Sequence, residues 1–171
     1  LESLEFEAPV IDDWPPEHHR RILFESPLRD SKTDEYVYEV IKRFMTRAFR
    51  RPVDREEVDH YFQIYKIYIA EFDTLEQAMR ETLAMMLISP QFLYHTVIDQ
   101  AAAAKPYELA SRLSYFLWGS MPDEELFNLA ASGELNDPAI LEVQTRRLIA
   151  DKRAVSFVAN LSTQWHVSYT Q

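Results

Sequence analysis

Apolar positions recur at helical spacing along most of the chain. Val37, Val40, Ile41, Phe44 and Ala48 lie three and four residues apart, which predicts an amphipathic helix after Pro27. Ser31 with Asp34 three residues on reads as a capping-box start. Arg50-Arg51-Pro52 ends that helix, because the residue before a proline avoids the α region. Asp54 with Glu57 opens a second stripe of Val58, Tyr61, Phe62, Tyr65, Ile69 and Phe72. Thr74 with Gln77 opens a third, carrying Leu75, Ala78, Met79, Thr82, Leu83, Met86 and Leu87 as far as Ser89-Pro90.

Downstream, the apolar run from Gln91 to Ile98 fits either a helical turn or a short strand, and the Ala-rich stretch from Asp99 to Lys105 reads as a connection between two halves. Pro106 then opens a helix whose Leu109, Leu113, Phe116 and Leu117 face inward, with Gly119 at its C-terminal cap. Asp123-Glu124-Glu125 supplies the acidic first turn of the next, with Leu126, Leu129 and Ala130 following and Gly133 as its stop. Asp137-Pro138 starts a helix bearing Ile140, Leu141, Gln144 and Leu148, and Asp151 caps a last one with Val155, Val158, Leu161 and Trp165. At the other end, Leu1 to Ala8 alternates weakly, as in an extended arm, and a short helix is expected from Pro16 to about Phe24. The expected fold is therefore all-α, about seven amphipathic helices in a bundle-like array behind a Pro-rich N-terminal arm. The expected division is an arm over 1–28 that ends a preceding domain, a three-helix domain over 29–90, and the start of a second helical domain over 91–171.

Composition narrows the chemistry. The chain of 171 residues is 47% hydrophobic, enough for a sizeable core. Average usage would give about 12 glycines; there are 2, so neither a phosphate-cradling GxxxxGK[ST] loop nor a dinucleotide GxGxxG can be written. Cys is absent, which excludes disulfides, thiolate zinc sites, Cys nucleophiles and covalent haem attachment in this chain. A net charge of −10 disfavours nucleic acid and anionic membrane surfaces as partners. No apolar run is long enough to form a transmembrane helix. The chain opens on Leu1 with no signal peptide, and so reads as part of something longer.

Few residue groups point to catalysis. Glu57 and His60 form a Glu-x-x-His pair, but a carboxylate-bridged dimetal site needs two such motifs, and Glu57 already suits a capping box. His18-His19 do not share a helix face, and Arg20-Arg21 beside them disfavour a cation; these basic groups are read as pairing with acidic neighbours. His95 with Asp99 could orient as a base, with Ser89 or Ser114 as a nucleophile, yet no GxSxG elbow exists. No catalytic residue and no metal ligand is assigned. The dense basic group Lys42, Arg43, Arg47, Arg50 and Arg51 is the one candidate binding feature; Arg47, Arg50 and Arg51 are taken as an anion- or glycan-binding set, against the alternative of a solvated helix face. Arg112, on a largely apolar helix, is expected to form a structural ion pair with a buried carboxylate such as Glu108.

Several phrases carry a family resemblance. They are Trp14-Pro15-Pro16 with His19-Arg20-Arg21, Arg47-Ala48-Phe49-Arg50-Arg51-Pro52-Val53, Ser89-Pro90-Gln91-Phe92-Leu93-Tyr94, the run from Tyr107 to Trp118, Met121-Pro122-Asp123-Glu124-Glu125-Leu126, and Gln164-Trp165. In this order they resemble the large multidomain proteins expanded in planctomycetes and related bacteria, which are built from consecutive domains of unknown function and often carry a c-type cytochrome domain. The resemblance implies an exported protein of the periplasm or cell envelope, with no cofactor in this segment and haem c elsewhere in the parent. It implies no reaction. The leading expectation is a non-catalytic scaffold or interaction module whose partners are neighbouring domains of the same polypeptide. The alternatives are a part of a polysaccharide-binding or polysaccharide-processing protein, and a docking module for a c-type cytochrome in electron transfer.

Overall fold

A computed structural model of the chain describes residues 15–94, 105–155 and 157. The described residues are all-α, with nine α-helices, two short 3-10 turns and no strand among them. The extended arm expected over Leu1–Ala8, the His95–Asp99 pair, and Val158, Leu161 and Trp165 of the last expected helix lie outside the described residues.

Three long helices form the first core: α3 (Thr33–Ala48), α4 (Arg55–Glu71) and α5 (Leu75–Leu87), preceded by the short α1 (Glu17–Ile22) and α2 (Leu28–Ser31) and followed by α6 (Pro90–Leu93). Val37, Val40, Ile41 and Met45 of α3 meet Val58 and Tyr65 of α4 and Ala78, Met79 and Met86 of α5, all at or below 2% exposure. Each of the Val, Ile and Met side chains among them contributes roughly 1.5–3 kcal/mol by leaving water. The aromatic series on α4 packs here too: Phe62 stacks on Tyr65 and meets Tyr38 edge-on, while Tyr61 tilts against Phe49. Tyr36 anchors the irregular stretch before α2, donating from its hydroxyl to the Phe24 carbonyl at 3.0 Å.

The capping signals hold at two of the three starts. Asp54 Oδ1 accepts from the Glu57 N–H at 2.8 Å, and Glu57 Oε2 accepts from the Asp54 N–H at 3.1 Å, a complete capping box on α4. Thr74 accepts from the Gln77 N–H on α5. Ser31 does not cap α3. It ends α2, its hydroxyl donating back to the Pro27 carbonyl at 2.7 Å, and Lys32 stands at the N-cap, its ammonium on Glu35 and no side chain capping the helix. Pro27 explains the change, because it organises a separate helical turn that takes the serine away.

The second core is formed by α7 (Lys105–Trp118), α8 (Glu124–Ser132) and α9 (Pro138–Ala150), with 3-10 turns over Glu134–Asn136 and Lys152–Ala154. Leu117, Trp118, Leu126, Leu135 and Leu148 are its buried centre. The buried face of α7 includes the expected Leu117, with Leu109 and Leu113 half-buried against the same core, but it extends to further residues and leaves Phe116 out. Tyr107, Ala110, Ser111, Ser114, Leu117 and Trp118 face inward, while Phe116 is 65% exposed, with its ring against Phe157. Ser114 is accepted inside because its hydroxyl donates to a helix carbonyl, that of Ser111, at 3.1 Å. Gly119 and Gly133 both adopt positive φ, +63° and +78°, and stop α7 and α8 as their positions predict.

Candidate functional site

Arg47, Arg50 and Arg51 do not converge on one site. They leave the end of α3 in three directions. Arg50 sits just past the last helical turn at φ 59°, a left-handed conformation normally given to glycine. Its guanidinium is buried and Nη2 donates to the carbonyls of Gln91 at 3.1 Å, Phe92 at 3.1 Å and Tyr94 at 3.0 Å. These carbonyls lie at the end of α6, where helix geometry leaves acceptors without intrahelical donors. The same guanidinium lies over the Tyr115 ring of α7, 5.8 Å from its centroid. Arg50 is therefore a tie between α3, α6 and α7, with its donors turned to protein acceptors.

Arg51 makes a bidentate pair with Glu57, at 2.9 Å from Nη1 and 2.6 Å from Nη2. The Arg51 hydrogen bond, helped by the Asp54 N–H and opposed by burial, holds the Glu57 carboxyl below its ordinary value. Glu57 is thus occupied by a cap and an arginine, and His60 beside it is exposed with its ring edge against Tyr61. No group of three or more His, Cys, Asp or Glu side chains that could hold a metal occurs among the described residues. Ser89 and Ser114, the nucleophile candidates, are buried and donate to the Met86 and Ser111 carbonyls.

Arg47 opens onto a cavity of about 530 Å³ between α1 and α3. Arg20 and Arg21 from α1, with Arg43 and Arg47 from α3, form its basic rim. Ile22, Phe24, Phe44, Leu87 and Phe92 form apolar walls, and Met121 approaches from the chain before α8. Arg21 pairs with Glu17 at 2.6 Å, as expected of local acidic neighbours. Arg43 lies over the Phe24 ring at 5.1 Å, a cation–π contact. Arg20, Arg43 and Arg47 form no ion pair with a carboxylate among the described residues. Arg20 was legible in the sequence only as a neighbour of acidic side chains. What places it here is the approach of α1 to α3, which brings Arg20 beside Arg43 and Arg47, more than 20 residues further along the chain.

A second charged cluster surrounds Trp118. Arg147 reaches Asp123 with two bonds, 2.7 and 3.1 Å, lies 3.3 Å from Glu125, and donates from Nε to Gln144 Oε1 at 2.7 Å. Gln144 in turn donates to Glu125 at 2.7 Å. Arg153 stacks on the Trp118 ring at 3.4 Å and pairs with Asp151 at 2.7 Å. Burial alone would raise the Asp123 carboxyl, but hydrogen bonds from Arg147 and the Leu126 N–H outweigh it and hold the group below its ordinary value. Arg153 draws the Asp151 carboxyl down well below the carboxylate range. The cluster is closed on itself, and its chemistry is structural: Asp123 caps α8 while clamping α9 to it.

Arg112 faces Glu108, the expected partner, but in solvent rather than inside. Its side chain is 75% exposed, and its contact with Glu108, four residues back on α7, is a loose 3.7 Å. The buried face of α7 turned away from it, so no charge needs compensation inside.

Two family models match the chain in succession. Residues 36–96 match PSD5, a protein of unknown function (DUF1595), and residues 104–170 match PSD4, a protein of unknown function (DUF1592). No curated protein and no solved structure matches.

Proposed function

We propose that this chain is a helical scaffold module of a large multidomain bacterial cell-envelope protein, and that it sets the relative placement of domains on the same polypeptide. The tandem matches to two consecutive domains of unknown function support a modular protein. The observation that carries the reading is the Arg50 tie. One buried cation joins the end of α3 to the α6 carbonyls on the path towards the second core, and a ring from that core covers it. Left-handed backbone at a non-glycine residue costs about 1–2 kcal/mol. The charge-assisted hydrogen bonds offset it at roughly 1.5–3 kcal/mol each at most, and less where they share one nitrogen. A glycine would remove the strain but could not reach the carbonyls. A fixed joint between two helical units is what a spacer requires.

Arg50→Ala and Arg50→Gly test this together. Both lose the guanidinium, and only the alanine variant keeps the strain, so the glycine variant should be the more stable of the two by about 1 kcal/mol. In both, amide exchange in α5 and α8 should cease to respond to the same denaturant concentration. Continued coupling of the two cores in the glycine variant would show that Arg50 is no joint and would remove the support for the scaffold reading.

A further inference from the structure

We propose that the cavity between α1 and α3 binds a small amphipathic anion: an alkyl or aryl body with a single oxyanion head, carboxylate or sulfate. The site goes beyond the scaffold reading and does not depend on it. The argument begins with charge. In a chain of net charge −10, an anion is repelled by most of the surface. At this mouth the local balance is positive, because four guanidiniums, of Arg20, Arg21, Arg43 and Arg47, line it and among the described residues only Arg21 is ion-paired, with Glu17, whose single charge Arg20 also feels. Guanidinium groups bind oxyanions through paired, charge-assisted N–H donors, so the rim selects a head group of that class.

The walls select the rest of the ligand. Phe44, Leu87 and Phe92 present apolar surface below the rim, and Leu87 remains 38% exposed. A volume of about 530 Å³ is within the range of small-molecule sites, roughly 300–1,000 Å³. Cations at the mouth and hydrocarbon beneath them match one ligand order: head at the rim, body inside. A free inorganic anion would leave the walls wet, and a neutral hydrocarbon would leave the arginines unused. Arg50 and Arg51 take no part, since their donors face the α6 carbonyls and Glu57.

Isothermal titration of the chain with octanoate, octyl sulfate, octanol and inorganic sulfate separates the contributions. Both octyl anions should saturate one site, and octanol and sulfate should each bind at least about tenfold more weakly. The two octyl anions, compared with each other, show which head the rim prefers. Arg43→Gln and Arg47→Gln should each weaken the octyl anions about tenfold. Both residues are on the exposed side of α3, so the melting temperature should hold and confirm an intact fold. Arg146→Gln, on the far helix α9 and paired with Glu142, should leave the affinity unchanged. Octanol binding as tightly as octanoate would overturn the role of the rim. Sulfate binding as tightly as octyl sulfate would overturn the role of the walls. Unchanged affinity in both α3 variants would overturn the site.

Discussion

Around Trp118, Arg147 and Arg153 are tied to Asp123, Glu125 and Asp151, whereas on the outer side of α3 Arg43 and Arg47 face a cavity whose described lining holds no carboxylate. Both regions place cations beside aromatic rings: Arg153 over Trp118 in one, Arg43 over Phe24 in the other. They differ in where the opposing charge comes from. In the second core it is supplied by the helix that the arginine braces, so the charges hold α8 to α9. At the α1–α3 cavity no described lining residue supplies it. A density of basic residues therefore says little by itself about binding. What distinguishes a brace from a candidate binding rim is whether the fold has already satisfied each guanidinium.

The largest effect expected from this contrast is at Asp123. Its carboxylate caps α8 through the Leu126 N–H and holds Arg147 with two bonds. Asp123→Ala should remove a cap, about 1 kcal/mol, and leave a partly buried arginine short of its main partner, about 1.5–3 kcal/mol more. A urea or thermal melt should register a loss of about 2–4 kcal/mol for the second core. Arg47→Ala, by the same measurement, should change stability by no more than about 0.5 kcal/mol, the usual range for surface substitutions. Comparable losses in the two variants would break the contrast between brace and rim.

Acid should act on the same distinction. Asp123 and Glu57 both sit below their ordinary values in the folded chain because arginines hold their charged forms. A carboxylate depressed in this way contributes stability above its unfolded value, about 3.9 for Asp and 4.3 for Glu, and that contribution disappears as pH falls through the lower folded value. Stability should therefore decline from about pH 4 downward, where the unfolded chain takes up protons first. Asp123→Asn should flatten that decline in melts of the second core followed between pH 2 and 7. A slope as steep as that of the unaltered chain would mean that Asp123 is not among the groups responsible.

Most of the fold was legible in local signals. Asp54 with Glu57, Thr74 with Gln77, Asp123, Gly119 and Gly133 act within one helical turn, so their roles follow from spacing alone. The helix count came out higher than the expected seven because α2 and α6 are single turns of four residues, too short to show a period. The expected face of α7 takes in Leu109, Leu113 and Leu117 but leaves out Ser111 and Ser114, which count as polar in any apolar stripe, although a helix carbonyl accepting from the Ser114 hydroxyl makes it acceptable inside. The candidate site was the least legible part. Arg47 was visible as a member of a basic cluster, but Arg20 joins it only through the packing of α1, and Arg50 leaves it only because its backbone turns left-handed. Neither property has a signature within a few residues of sequence.

The smallest expected effect completes the comparison. Arg112 looked from the sequence like a charge in need of a buried partner, and its removal would then have cost several kcal/mol. In the structure it is a solvent-facing side chain at 3.7 Å from Glu108, one turn away on the same helix. Pairs of this kind stabilise a helix by about 0.2–0.5 kcal/mol and weaken with salt. Arg112→Ala should consequently leave the melting temperature within about 1–2 °C of the parent value, with even that difference fading in high salt. Arg147→Ala, two helices away but facing Asp123, should lower it by several times as much. If the two variants fell together, the exposure of the guanidinium would not be what decides its worth, and the rim of the α1–α3 cavity would lose its claim to be different from the braces around Trp118.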